Sequence, residues 1–241
     1  MTPDPFHLAL SAWPGSGADE LNIEVAASVS LTETPQLLLQ QSGVVTPTAV
    51  ALHYDAGREV YTATAILTTS LPTQGLLFAH AVNTQTQSVE AWLPFNITPI
   101  EHDQHSTLWA SDGLAKLYLP PGALAADGRV SIGAAPLRQP LPEGLLLIGG
   151  PYAIGAAEEV SFSGSGNLML SYPVHGDWEA RVHLFGAAVY WWDGAAWQAL
   201  SSTFDTAHHY AAAPVNEFGL YAILTTAEPI SGIYLPLVLR Q

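Results

Sequence analysis

Apolar and polar residues follow one another in short stretches along most of the chain. Runs of four to eight residues rich in Val, Ile, Leu, Thr, Tyr and Trp are separated by clusters of Gly, Pro, Asn and Asp. In 59–67 (E-V-Y-T-A-T-A-I-L) the alternation partly follows a period of two, as in a strand with one face in a core. No long window has a helical stripe. The pattern predicts an all-β protein, with candidate strands at 21–30, 49–54, 60–67, 75–83 and 88–93.

The chain divides into two strand-rich parts. Residues 1–100 hold about seven candidate strands, the number expected of an immunoglobulin-like β-sandwich. The polar segment 101–107 has no apolar pattern and is interpreted as a linker. A second strand series follows over 108–225, and 226–241 is a tail that reads as one more strand, interrupted by Pro236. We therefore expect two β-sandwich domains in tandem, followed by a strand-like tail.

Composition excludes several function classes. The chain has 21 acidic and 6 basic residues, and its formal net charge is −15. Nucleic acid and anionic membranes both require clustered Lys and Arg, so neither is an expected partner. The absence of cysteine removes disulfides, thiol catalysis and cysteine-based zinc sites, and it favours a bacterial source. No apolar run is long enough to span a membrane, and no signal peptide is visible, so an export signal would lie upstream or have been removed.

Two phrases in the second part carry a family resemblance. Residues 114–124 read L-A-K-L-Y-L-P-P-G-A-L, and 187–200 read A-A-V-Y-W-W-D-G-A-A-W-Q-A-L, before a closing V-N-E-F-G-L-Y-A-I-L at 215–224. Together they resemble ZU5-like β-sandwich modules of bacterial surface proteins, over roughly 108–225. In this reading Pro120 and Pro121 end a strand before a tight turn, and an Asp-Gly pair at 193–194 forms a hairpin.

The rest of the chain resembles other surface modules. Residues 54–64 (Y-D-A-G-R-E-V-Y-T-A-T) are similar to the central strands of bacterial immunoglobulin-like or fibronectin-like modules, and 233–240 resemble the ends of large exported proteins of filamentous bacteria. The resemblance implies an appended C-terminal module of a secreted or cell-surface protein, such as a protease or an adhesin. These families contribute no catalytic residues.

Catalytic motifs are weak in this sequence. The stretch G-S-G at 164–166 lacks the strand–turn–helix context of a hydrolase nucleophile and is typical of a loop. A metal site is the sharper alternative, because His102, Asp103 and His105 lie close together in the polar segment. They converge only if the chain bends, and the competing interpretation is a solvated loop. Calcium would suit an acidic exported protein, but no ligand set can be assigned to it.

Aromatic residues form a second candidate site. Trp191, Trp192 and Trp197 lie in one aromatic-rich stretch, and neighbouring residues of a strand point to opposite faces. One set must therefore leave the core unless another layer covers it. An exposed set would stack on sugar rings, as in a carbohydrate-binding module, whereas a covered set would form a core or a domain interface.

The expected function is therefore non-enzymatic. A structural or interaction module would space, cap or anchor a partner domain outside the cell. The alternatives are a carbohydrate-binding module and a hydrolase or metalloenzyme. Protein partners or a second copy would pair with exposed sheet edges or with the tail. The competing expectation is that the tail folds back on the sandwiches. The candidate interaction strand comprises Ile233, Tyr234, Leu235, Leu237, Val238 and Leu239.

Overall fold

The computed structural model describes residues 6–68, 72–172 and 187–226. Within these ranges the chain forms eighteen β-strands and no helix, which confirms the predicted all-β class. No helix able to cross a membrane is therefore found in the described part of the chain. The strands are β1 (Leu8–Pro14), β2 (Glu20–Ala27), β3 (Gln36–Gln41), β4 (Thr48–Val50), β5 (His53–Asp55), β6 (Val60–Ile66), β7 (Thr73–Val82), β8 (Ser88–Ile100), β9 (Ser106–Trp109), β10 (Ala115–Leu119), β11 (Gly128–Ala134), β12 (Leu145–Ala156), β13 (Gly166–Ser171), β14 (Ala188–Trp192), β15 (Trp197–Ala199), β16 (Thr203–Asp205), β17 (Tyr210–Val215) and β18 (Gly219–Thr226).

The strands form three antiparallel sheets. One sheet has nine strands in the order β15-β14-β18-β12-β11-β8-β7-β3-β4, and we call it the long sheet. The first cover sheet has the order β1-β2-β6-β5, and the second cover sheet has the order β16-β17-β13-β10-β9. Because β8 pairs directly with β11, the long sheet runs without a break from the first part of the chain into the second.

The first core lies between the first cover sheet and the β8-β7-β3 end of the long sheet. Every second residue of β3, β7 and β8 points into it, which is the period of a strand with one buried face. Leu39, Leu77 and Ile97 come from the long sheet, and Leu21 and Ile23 from the cover sheet. Each such side chain contributes roughly 1.5–3 kcal/mol when it leaves water.

The second core lies between the second cover sheet and the other end of the long sheet. Leu117 and Leu168 enter it from the cover sheet, and Ile132, Ile154 and Tyr221 enter it from the long sheet. All five side chains are almost completely buried. The observed fold is therefore an all-β sandwich architecture with two cores separated along the chain near residue 100.

The two cover sheets pack on opposite faces of the long sheet. Ile97 and Ser131 are directly paired across β8 and β11, as are Thr98 and Val130. Ile97 belongs to the first core, whereas Val130 and the nearby Ile100 belong to the second core. Paired residues share a face of a sheet, so the first core and the second core lie on opposite faces of the long sheet. The buried face changes from one side to the other where β8 meets β11. β11 is consequently buried on both faces over much of its length.

The first cover sheet extends across this reversal. β1 lies over β8, β11 and β12, and Trp13 packs so closely on Gly155 that a Cβ atom there would meet the Trp13 Cβ at 2.7 Å. Arg129 on β11 is 8% exposed, and its guanidinium donates to the backbone oxygens of Gly15 at 2.6 Å and Ala18 at 2.9 Å. The side chain therefore satisfies backbone acceptors that turn toward the sheet after β1.

A buried carboxylate ties the same region together. Glu24 on β2 accepts from Arg138 at 2.8 Å, and it also pairs with Arg58. Arg138 donates in addition to the backbone oxygen of Ala9 at 2.9 Å, so it bridges β1 and β2 from the segment that joins β11 to β12. We call the contacts of Arg129 and Arg138 with the first cover sheet the junction.

Two turns follow the predicted chemistry. The hairpin at Asp193-Gly194 is confirmed: Trp192 pairs with Trp197 across it, and Gly194 has a φ of 97°. After Pro120 and Pro121, Gly122 has a φ of 76° and its N–H donates to the His102 backbone oxygen at 2.7 Å. In the predicted linker 101–107, residues 101–105 connect β8 to β9, and β9 already begins at Ser106.

Candidate functional site

The three tryptophans singled out from the sequence lie on the β14–β15 hairpin at one end of the long sheet. Trp191 is half-buried and packs against the second core, opposite Tyr221. Trp192 and Trp197 point to the other face, where their ring centroids are 5.6 Å apart at an angle of 62°. The structure therefore separates Trp191 from the other two, as expected for adjacent strand residues.

A second layer covers the Trp192–Trp197 pair. Trp197 is only 7% exposed, and it clusters with Leu224 of β18. Leu137 and Leu141, from the segment between β11 and β12, pack against this cluster. None of the three tryptophans offers a widely open ring face, so their surroundings correspond to the packing interpretation rather than to a sugar platform.

The two histidines of the predicted metal site contact different side chains. The His102 Nδ1 atom lies 2.7 Å from the Asp127 Oδ1 atom, and the His105 Nδ1 atom lies 2.7 Å from the Tyr118 hydroxyl. Asp103 is exposed between them. In the ranges that the structure describes, no group of three His, Cys, Asp or Glu side chains is arranged to hold a metal. The structure thus does not assemble these residues into a site.

The contact between His102 and Asp127 shifts the pKa of both side chains. The hydrogen bond to Asp127 raises the pKa of His102, and the negative charges of Asp127 and Asp103 act in the same direction. Asp127 accepts hydrogen bonds from the His102 N–H and ring, which lowers the pKa of its carboxyl. The pair is therefore an exposed ion pair that fastens the turn after β8 to the turn before β11.

Sheet edges were expected to receive a partner strand. The strands β4, β5, β15 and β16 at these edges have three residues each, and β9 has four. β1 is longer, but it lies on the long sheet. The predicted interaction strand at 233–239 lies outside the described residues.

An exposed aromatic face that the sequence interpretation overlooked lies on β7 and β8. Trp92 is 58% exposed, and its ring centroid is 4.2 Å from that of Phe78. The alternation of side chains along β8 would have indicated this position. Leu93 and Phe95 face the first core, so Trp92, which precedes Leu93, must face the opposite side.

In comparison with known proteins, the chain matches no protein-family model, and no curated protein is significantly similar to it in sequence.

Proposed function

We propose that this protein is a non-catalytic structural or interaction module that acts outside the cell, where it spaces, caps or anchors a partner domain at a bacterial surface. The observation that carries the proposal is the continuous long sheet. A hydrogen-bonded sheet of nine strands joins both parts of the chain, so it holds one end of the sheet at a fixed distance from the other. Such stiffness suits a spacer.

The junction supports this role. Relative motion of the two parts would strip Arg129 of its backbone acceptors and would separate Glu24 from Arg138. Buried charged groups that lose their partners cost several kcal/mol, roughly 3–5 for one broken pair. The lowest-energy arrangement is therefore strongly preferred over a hinged one.

Strand order supports the resemblance of the first part to immunoglobulin-like modules. When its strands are lettered in chain order with β4 as C′, the cover sheet has the order A-B-E-D and the long sheet has G-F-C-C′. This is the order of an immunoglobulin-like sandwich with one added edge strand. Sandwiches of this kind serve widely as cell-surface domains, which favours an external location. Partner contact through the sheet edges or the segment 226–241 belongs to the same proposal.

A distance measurement tests the stiffness directly. The chain has no cysteine, so Val45→Cys beside β4 and Ala195→Cys beside β15 would carry two spin labels at specific sites. Eight steps between nine strands place them on the order of 40 Å apart. We expect one narrow distance distribution by pulsed electron spin resonance. A broad or two-peaked distribution would refute a rigid spacer.

The location is tested separately. Treatment of intact source cells with an added protease should remove the protein from immunoblots, whereas a cytoplasmic control protein should persist. Protection of this protein until the cells are lysed would rule out a surface role while leaving the rigidity measurement intact.

A further inference from the structure

The outer face of β3, β7 and β8 carries an aromatic row that serves neither core. Leu38, Phe78 and Trp92 are paired across the three strands, so they lie side by side on the face opposite the first core. Phe78 and Leu38 are half-buried, and Trp92 is 58% exposed. We call this row the aromatic row. Burial in the first core does not explain its composition, because the core uses the alternate residues of the same strands.

The Trp92 ring is held in place. Its contact with Phe78, at 4.2 Å between centroids and 46° between planes, supports the indole from the side. Since a ring that is already positioned loses less conformational entropy on binding, Trp92 is pre-organised for contact with a planar or ring-shaped ligand.

Polar side chains flank the aromatic row on both sides. On one side, Gln36, His80 and Glu90 form the neighbouring row of paired residues. On the other side, beyond Leu76 and Pro94, the next paired residues are Gln74 and Asn96. A strip with apolar side chains between these two polar rows is able to contact a ring face and to hydrogen-bond the hydroxyl groups around it.

A depression continues the face beyond the aromatic row. It has a volume of about 400 Å³ and is lined by Gln40, Ser42, Leu76, Pro94 and Ser111, among others. Gln40, Leu76 and Pro94 form the paired row next to the aromatic row, so the two features adjoin. A ligand that extends beyond one ring therefore has room along the same surface.

Size argues against a protein occupant. The aromatic row and the adjoining Leu76 and Pro94 span at most three strands and two rows, which corresponds to no more than roughly 200 Å² with strands about 4.8 Å apart. A stable protein interface buries about 800 Å² on each partner. A second copy of the chain would also bring a further net charge of −15 against the first.

The charges of the side chains on this face also restrict the class of ligand. Glu90 is the one carboxylate among the residues named on this face, and none of them is Lys or Arg, so phosphate, sulfate and uronate groups find no cation. We propose that the outer face of β3, β7 and β8 binds a neutral oligosaccharide chain, which stacks on Trp92 and continues into the depression at Leu76 and Pro94. This binding activity goes beyond the structural role and does not depend on it.

Binding is tested with the full chain and defined probes. Insoluble cellulose, chitin and mannan in pull-downs, and soluble β-glucan, xylan and mannan in affinity electrophoresis, cover the main neutral backbones. We expect binding to at least one of them and a loss of about tenfold or more for Trp92→Ala, as expected when a central aromatic contact is removed. Trp92→Phe, which keeps a ring, should retain part of the affinity.

Tyr54→Ala is the matched control. Tyr54 is similarly exposed, at 56%, and its ring centroid is 4.9 Å from that of Tyr61, but it lies on β5 of the first cover sheet. The Tyr54→Ala variant should bind each probe as the unaltered protein does. Thermal melting of each variant shows whether it is folded.

Three outcomes would overturn the proposal. They are no binding to any probe, binding by folded Trp92→Ala that equals that of the unaltered protein, and equal losses of binding for Trp92→Ala and Tyr54→Ala. Light scattering adds a further decisive result, because a dimer that Trp92→Ala dissociates would assign this face to a second copy instead.

Discussion

The two ends of the long sheet carry aromatic residues on the face turned away from their own core, yet the two sets differ in exposure. At the β14–β15 end, Trp192 and Trp197 form a covered cluster with Leu224. At the β7–β8 end, Phe78 and Trp92 form the aromatic row, and Trp92 remains 58% exposed.

The difference comes from the connections between strands. Residues 135–144 join β11 to β12 and are long enough to bring Leu137 and Leu141 back over the sheet. Residues 83–87 join β7 to β8 in a tight turn, in which the Asn83 N–H donates to the Gln87 oxygen at 2.9 Å. A turn of this length cannot fold back. The β11–β12 connection therefore accounts for the burial of the Trp192–Trp197 pair, and the tight β7–β8 turn leaves Trp92 exposed.

Removal of one tryptophan at each end of the long sheet should give the largest difference in the free energy of unfolding. Trp197→Ala removes a ring that is 7% exposed, and we expect it to lower the free energy of unfolding by about 3–5 kcal/mol. Trp92→Ala should lower it by less than about 1 kcal/mol, because its ring is largely in water. Urea denaturation followed by circular dichroism measures both. Equal losses would show that the aromatic row also serves folding.

The junction is the next largest expected effect. Arg129→Ala leaves the backbone oxygens of Gly15 and Ala18 without their donor, and we expect a loss of about 3 kcal/mol in the free energy of unfolding. The control is Arg58→Ala, whose side chain is 58% exposed and should cost at most about 1 kcal/mol. A small effect for Arg129→Ala in the same denaturation assay would mean that these hydrogen bonds of Arg129 contribute little to holding the first cover sheet on the long sheet.

The smallest effect is expected at the exposed pair of His102 and Asp127. The pKa of His102 is raised, so its contribution is complete below the unfolded-state pKa and is lost as pH rises through the folded-state pKa. The pKa of Asp127 is lowered, so its contribution is present above the unfolded-state pKa and is lost as pH falls through the folded-state value. The pair should stabilise the turn most between these two titrations.

An NMR titration of the histidine ring resonances measures this prediction. Asp127→Asn should return the pKa of His102 toward its ordinary value, because it removes the negative charge and replaces the carboxylate by a weaker, neutral acceptor. Asp103→Asn should lower the pKa less, since the charge of Asp103 is the smallest of the named causes. An unchanged His102 titration in Asp127→Asn would contradict the observed contact.

Local features of the fold were predictable from the sequence. The alternation over 59–67 predicted β6, and the Asp193-Gly194 pair predicted the β14–β15 hairpin, because both depend on neighbouring residues. The pairing of β8 with β11 was not predicted, since it joins strands separated by two cover-sheet strands. A hint existed in Ile97 and Ile100, whose spacing of three places them on opposite faces of one strand, with both faces buried.

The candidate sites show the same limit. The sequence identified Trp191, Trp192 and Trp197 by their abundance, but the layer that covers two of them comes from residues 135–144. Trp92 was overlooked because it stands alone in the sequence, and its companions Phe78 and Leu38 reach it only through strand pairing. His102 likewise finds its acceptor at Asp127 rather than at the adjacent Asp103.

The reversal of faces along the long sheet has a consequence for any attempt to divide the molecule. A cut within 101–105 would leave the end of β8 without β11, and Ile100 would lose the core that shields it. Each fragment would then expose a strand edge with unpaired amide and carbonyl groups. Apolar side chains beside that edge would be exposed to solvent, and such an edge is a template for aggregation. The polar turn that looks like the natural place to separate two modules is thus the place where separation would be most damaging.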